Sequence, residues 1–328
     1  MGRFFRFFFP IFCWSIPIFA SQMVWLSDFE KGLEESRGTK KPLLLFFTGS
    51  DWSGWSMKLK DEVLSSTVFQ QKIAENFVCV EIDFPLHTPP VGVNMKVKER
   101  LQVTEYPTVV LLNYDEREIA RLGYLPITPS QYADDLLFAL AQDRDLSYLL
   151  DLLARGEVTL SILERAYYLS QELCCDGAIE LVLDYGIKSN DPGYFLVEKY
   201  RRLLSQGKGD LAEIASLRKQ IEQLGSHEEL YHLALIDFQA LAAEEENQIS
   251  EKVVAPLKHY LEQFASSNDN HKWEIEMMLA QFYLAHDKWG EALKHAQVAQ
   301  IAAPYKHREE IADSLEYIKE KVEEPIHR

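Results

Sequence analysis

The hydrophobic period of this chain changes near Asp143, and the change divides it into two kinds of structure. Before it, residues 43–48 read Leu-Leu-Leu-Phe-Phe-Thr, an unbroken apolar run opened by Pro42 and closed by Gly49 and Ser50. Such a run suits a strand buried on both faces. Around it the pattern predicts a helix over Trp25–Gly38, a long amphipathic helix over Trp52–Asn76 and a strand over Phe77–Phe84. A loop rich in proline (Pro85, Pro89, Pro90) leads to a short helix over Lys96–Leu101. Strands over Thr108–Tyr114 and Glu118–Tyr124 follow, then a helix over Pro129–Gln142 with proline in its first turn. Strands alternating with helices in this order predict an α/β layer sandwich.

Beyond Asp143 the strand patterns stop, and residues 144–328 read as helices joined by short polar turns. Helical hairpins are expected to start near Thr159, Pro192, His227, His271 and Lys306, a recurrence of roughly 34 residues with one longer step. The clearest unit starts at Trp273. It has Leu279, Ala280 and Tyr283 on its first helix, Ala292, Ala296 and Ala299 on its second, and Pro304 closing it. The small residues allow close helix approach, and the proline ends the second helix. In period and residue types this resembles tetratricopeptide repeats, with a generic array of α-hairpins as the alternative. Either would offer a concave surface to a partner.

The first twenty residues follow another logic. Arg3 and Arg6 precede an uncharged run from Phe7 to Phe19, and Ala20 supplies a small residue before Ser21. A positive start, a short apolar middle and a small-residue exit make a secretory signal. A spanning helix needs about 20 apolar residues, and Pro10 and Pro17 interrupt this stretch. No stable membrane span is therefore expected after cleavage, with an uncleaved anchor as the alternative. The organisation is read as a signal over 1–20, an α/β domain over 21–143 and a helical domain over 144–328. A net charge of −17 excludes nucleic acid and anionic membrane surfaces as natural partners. Removal of the signal leaves three cysteines. Cys79 alternates into a strand as a small core residue, while adjacent Cys174 and Cys175 lie between helices. The histidines are scattered without ligand spacing, so no metal or other cofactor is expected.

Residues 47–56 read Phe-Thr-Gly-Ser-Asp-Trp-Ser-Gly-Trp-Ser, at a strand-to-helix junction. Residues 103–112 read Val-Thr-Glu-Tyr-Pro-Thr-Val-Val-Leu-Leu, and residues 121–124 Arg-Leu-Gly-Tyr. Together with the strand around Cys79, these segments resemble a thioredoxin fold over about 100 residues. The closest resemblance is to bacterial exported thioredoxin-like proteins of disulfide-isomerase type, whose motif is Asp-Trp-Cys-Gly-Trp-Cys. The resemblance implies cysteines at the positions of Ser53 and Ser56. It also implies a cis Pro107, with the backbone of Tyr106 offered to an extended polypeptide by β-strand addition. Many thioredoxins carry a buried carboxylate where this chain has Phe47.

A thiolate is the nucleophile of disulfide exchange, and a serine hydroxyl stays protonated near neutral pH. Ser53 is instead suited to cap the helix that follows it. A serine nucleophile would need a base held by a third group, and His87, the nearest histidine in sequence, carries no such mark. Trp52 and Trp55 flank the serines, either packing the helix start or forming an aromatic platform for a peptide. The reading that follows is an exported, periplasmic, redox-inactive protein that binds polypeptides through Trp52, Trp55, Tyr106 and Pro107 as a chaperone-like or adaptor module. The alternative is the activity the resemblance implies, thiol:disulfide oxidoreductase or isomerase, which would have to use Cys79, Cys174 or Cys175.

Overall fold

A computed structural model describes residues 23–88, 92–207, 211–244, 250–264 and 269–323. The export signal expected over 1–20 lies outside the described residues. The described residues divide into two compact units, one comprising those up to Asp151 with Leu169–Cys175, the other Leu152–Tyr168 and those from Asp176 onward.

The first unit is built on a mixed five-stranded sheet. Its strands are β1 (Trp25–Leu26), β2 (Leu43–Thr48), β3 (Val78–Asp83), β4 (Thr108–Leu112) and β5 (Glu118–Leu122). They lie in the order β1-β3-β2-β4-β5. The first three are parallel, β4 runs antiparallel to β2, and β5 antiparallel to β4. Every residue of β2 is buried, as its apolar run requires. One face packs Leu43, Leu45 and Phe47 with Phe29 and Leu33 of α1 (Phe29–Thr39) and Val97 of α4 (Val93–Arg100). Gly32 lets α1 approach closely, since a Cβ there would lie 2.4 Å from Val80.

Two departures from the sequence reading have local causes. Trp25–Leu26 is not helical: Asp28 caps α1 by accepting from Lys31 N–H, and Trp25 and Leu26 pair with Cys79 and Val80. The helix expected over Trp52–Asn76 is three pieces: α2 (Gly54–Leu59), a π-helical turn (Lys60–Leu64) and α3 (Thr67–Ile73). Ser66 takes an extended conformation between them, where Ser-Ser-Thr offers the backbone alternatives to helix.

The helix α5 runs over Pro129–Ala154 rather than stopping at Gln142. Asp143, just past the expected end of this helix, is buried within it and ion-paired with Arg117. The boundary expected at 143/144 thus falls inside a continuous helix.

From Leu160 the described chain is helical throughout, in α6 (Leu160–Glu172), α7 (Asp176–Ile187), α8 (Gly193–Gln206), α9 (Leu211–Leu224), α10 (His227–Glu244), α11 (Glu251–Gln263), α12 (Lys272–Ala285), α13 (Trp289–Ala302) and α14 (Arg308–Glu323). A short 3₁₀ turn, Tyr305–His307, precedes the last. From α7 onward each helix packs on its chain neighbour, and α8 also on α10. Ala280, Ala292, Ala296 and Ala299 are fully buried where α12 meets α13. Helices α8 to α11 line a cavity of about 1410 Å³ containing Asp237, which accepts from Tyr200 Oη at 2.5 Å and pairs with Arg218. No helix among the described residues is long and apolar enough to cross a membrane.

Candidate functional site

The C-terminal end of β2 positions the site. Its last residue, Thr48, lies beside Asp83 at the end of β3, and Asp83 accepts from Ser50 N–H at 2.9 Å and from Ser50 Oγ at 2.5 Å. Asp51 accepts from Leu86 N–H at 2.9 Å. These two carboxylates tie the loop after β2 to the loop after β3. Within the first loop, the N–H groups of Trp52 and Ser53 both donate to the Gly49 carbonyl. Gly49 has a steric role as well. A Cβ there would lie 2.5–2.8 Å from atoms of the Trp52 indole, so only glycine lets that ring lie over the turn.

Ser53 is the N-cap of α2 and accepts from Ser56 N–H at 3.2 Å. Ser56 Oγ donates to Ser53 Oγ at 2.9 Å, and Ser53 Oγ donates to the Tyr106 carbonyl at 3.2 Å. Gly49 N–H reaches Ser56 Oγ at 3.4 Å. The result is one directed chain, from the Gly49 amide through both hydroxyls to Tyr106. Ser53 then uses its single proton and both acceptor positions. Both serines are buried. No imidazole takes part in the chain, so neither hydroxyl has the base that a serine nucleophile needs.

The Tyr106–Pro107 peptide bond is cis. The loop is held by Thr108 Oγ1, which donates to the Glu105 carbonyl at 2.7 Å. Phe47, where many thioredoxins have a carboxylate, is fully buried and pairs with Thr108 and Ile82. The structure therefore gathers Trp52, Ser53, Trp55, Ser56, Tyr106 and Pro107 at one end of the sheet.

Aromatic rings surround these residues. Trp52, 46% exposed, donates through Nε1 to the Phe84 carbonyl at 2.8 Å and meets Tyr106 edge-on at 5.5 Å. Phe84 also packs on Tyr106, at 5.6 Å. Trp55, 58% exposed, lies 5.1 Å from Tyr124. The Lys58 ammonium sits over Trp55 and Tyr124, and the Lys98 ammonium over Phe84 and Tyr106. The Tyr106 hydroxyl is buried without a hydrogen-bond partner among the described residues. Sequence reasoning missed Gly49, Lys58, Phe84, Lys98 and Tyr124. Phe84 and Tyr124 could have been found, because each lies just beyond the end of a strand, where ligands of α/β sheets gather.

The three thiols lie elsewhere. Cys79 is on β3, between Trp25 of β1 and Leu44 of β2. Burial, with a smaller contribution from the Glu35 charge, pushes its thiol up to about 12. Cys174 has φ 47° just past α6; its N–H and that of Cys175 donate to the carbonyls of Gln171 and Ser170, closing the helix end. All three are free thiols. No group of three or more His, Cys, Asp or Glu among the described residues could hold a metal ion.

A sheet of this strand order, with a helix N-terminus at the end of its central strand and a proline loop facing it, defines a thioredoxin-like domain. The family model described as thioredoxin-like matches residues 24–113. The thioredoxin-related protein DsbJ of Chlamydia pneumoniae is 36% identical over 311 residues, covering 92% of this chain and 88% of that protein. The chain belongs to this thioredoxin-like family. The disulfide bond reductase DsbH of the same organism is 34% identical over 128 residues, 38% of this chain and 76% of its own length. The solved structure of a DsbH oxidoreductase shares 30% identity, covering 43% of this chain and 95% of that one, with a TM-score of 0.36.

Proposed function

We propose that this chain is an exported thioredoxin-like protein that binds polypeptides at the Ser53–Tyr106 end of its sheet and performs no disulfide exchange there. It would act as a chaperone-like or adaptor module in the periplasm, with residues 1–20 as a removable signal and the helical region as a second, tetratricopeptide-like domain. The observation that carries the reading is the hydrogen-bond chain through Ser56 and Ser53 to Tyr106. It fills the position where exchange would need two sulfurs with two hydroxyls that already have partners, and a hydroxyl forms no mixed disulfide. What is left at the surface includes apolar rings: Trp52 stands half-exposed against Tyr106, and Trp55 half-exposed against Tyr124. Exposed tryptophan next to a loop that no strand pairs among the described residues suits capture of an extended chain, with backbone bonds giving affinity and pockets giving preference.

The DsbH relative is named a reductase, and exchange is the competing reading. It would have to work through a thiol outside this site. Cys79 is excluded by burial, which leaves Cys174 and Cys175 at the end of α6.

The two readings separate in one set of measurements. Purified protein should reduce or isomerise a model disulfide substrate no faster than buffer. It should bind a permanently unfolded polypeptide lacking cysteine, and Trp52→Ala with Trp55→Ala should weaken that binding by about 2 kcal/mol. Ser53→Cys with Ser56→Cys should create measurable exchange, since strand, helix start and proline loop are in place. Wild-type turnover that disappears on Cys174→Ser with Cys175→Ser would overturn the proposal.

A further inference from the structure

The geometry points to a charge preference at this site: we infer that it selects polypeptide segments in which an apolar side chain is flanked by carboxylates. The inference rests on the polypeptide-binding reading and names the class of partner.

Two lysines border Tyr106–Pro107. Lys98 Nζ lies 5.0 Å from the Phe84 ring centre and 5.3 Å from that of Tyr106. Lys58 Nζ lies 5.3 Å from the Trp55 ring and 5.0 Å from that of Tyr124. Tyr124 follows Gly123, where a Cβ would stand 3.7 Å from the Pro107 carbonyl, so this second pair adjoins the proline itself. A chain lying along Tyr106–Pro107 with an apolar residue on the tryptophans would have an ammonium group near both neighbouring stretches.

Several carboxylates of the same region are engaged within the domain, whereas Glu105, exposed just before Tyr106, has no ion pair among the described residues. Asp83 takes two bonds from Ser50, and Asp51 accepts from Leu86 N–H. Glu81 pairs with Lys60 at 2.6 Å. Glu62 accepts from Tyr124 Oη at 3.0 Å and stands 4.0 Å from Lys58. Lys98 has no ion pair among the described residues, and its contacts are with ring faces. The charges that stand over the rings of the site are therefore both positive, on a chain whose net charge is −17. Ring contacts also hold the two lysines in place, which lowers the entropy lost when a carboxylate arrives. The chain's overall negative charge acts over distances that salt screens beyond about 8 Å, whereas these lysines act at contact.

The test uses three labelled synthetic peptides sharing a Trp-Leu centre, flanked by Asp and Glu, by Lys, or by Gln, titrated against the full mature chain. At low salt the acidic peptide should bind roughly tenfold more tightly than the lysine peptide, and the difference should shrink as salt rises. Lys58→Glu with Lys98→Glu should reverse the order, and Lys58→Gln with Lys98→Gln should abolish the preference. Equal affinities for all three peptides, each still weakened by Trp52→Ala, would overturn the charge preference and leave the polypeptide site standing. Failure of every peptide to bind would overturn both.

Discussion

Cys79 shows how strongly position governs a thiol in this chain. Packed on β3 and pushed up to about 12 by burial, it keeps its proton long after an exposed thiol would ionise near 9.0. The consequence for stability has a definite sign. Between about pH 9 and 12 the unfolded state loses a proton that the folded state retains, so folded stability falls as pH rises through that window. The contribution is about 1.4 kcal/mol per pH unit. Urea unfolding of wild type and Cys79→Ala across this range isolates it from the other groups that titrate there. The variant starts less stable, and its midpoint should fall less steeply with pH. Parallel slopes would show that Cys79 ionises freely in the folded state. Ser53 sits at the other extreme. As a helix N-cap it meets the donors that would favour a thiolate, and it uses them to orient a hydroxyl.

At the scale of elements, close approach is set by single glycines. Gly186 on α7 faces Phe195 on α8, and a Cβ there would lie 2.2 Å from the ring. Alanine favours a helix over glycine by about 1 kcal/mol. The overlap involves the fully buried core of a ring rather than a flexible tip, so the clash should win. Gly186→Ala is expected to lose about 1–3 kcal/mol, read as a lower urea midpoint, with part of the loss recovered by adding Phe195→Leu. Elements were legible in the sequence where burial and period agree. Leu43–Thr48 has no exposed face to interrupt its apolar run, and the helices starting at Leu160, Gly193, His227, Lys272 and Arg308 follow the hairpin spacing. Elements were hidden where a distant partner decides. Trp25–Leu26 becomes a strand only because β3 lies beside it, and Asp143 stays helical only because Arg117 neutralises it. The site divides in the same way. Ser53, Trp52 and Pro107 stand in recognisable local patterns, whereas Lys98 of α4 over Tyr106 and the Trp52 indole on the Phe84 carbonyl join segments distant in sequence, which no local pattern encodes.

For the whole molecule, α5 makes the division between the expected domains a matter of chain as well as sequence. Asp143 lies within it, paired to Arg117 in the turn before β5. A truncation after Asp143 would cut this helix and leave the pair at a frayed end, whereas one after Cys175 retains the whole first unit. The chain ending at Cys175 should unfold in a single cooperative transition. The chain ending at Asp143 should melt at least several degrees lower, as expected for a loss of about 1–2 kcal/mol in a domain of this size. Equal melting temperatures would place the natural boundary at 143/144 after all. In the helical remainder each described helix from α7 onward packs on its chain neighbour, and α8 to α11 line the cavity that holds Asp237.

The two hydroxyls beneath Tyr106 also bear on time. A dithiol site that has captured a disulfide client remains joined to it until a second sulfur attacks, so the duration of the encounter is written into the chemistry. Oxygen at Ser53 and Ser56 offers no such bond. A client held by Trp52, Trp55 and the Tyr106 loop would stay only as long as its dissociation rate allows, and most affinity differences between related complexes lie in that rate. Residence would then be set by the client's own sequence, without reference to the redox state of its surroundings.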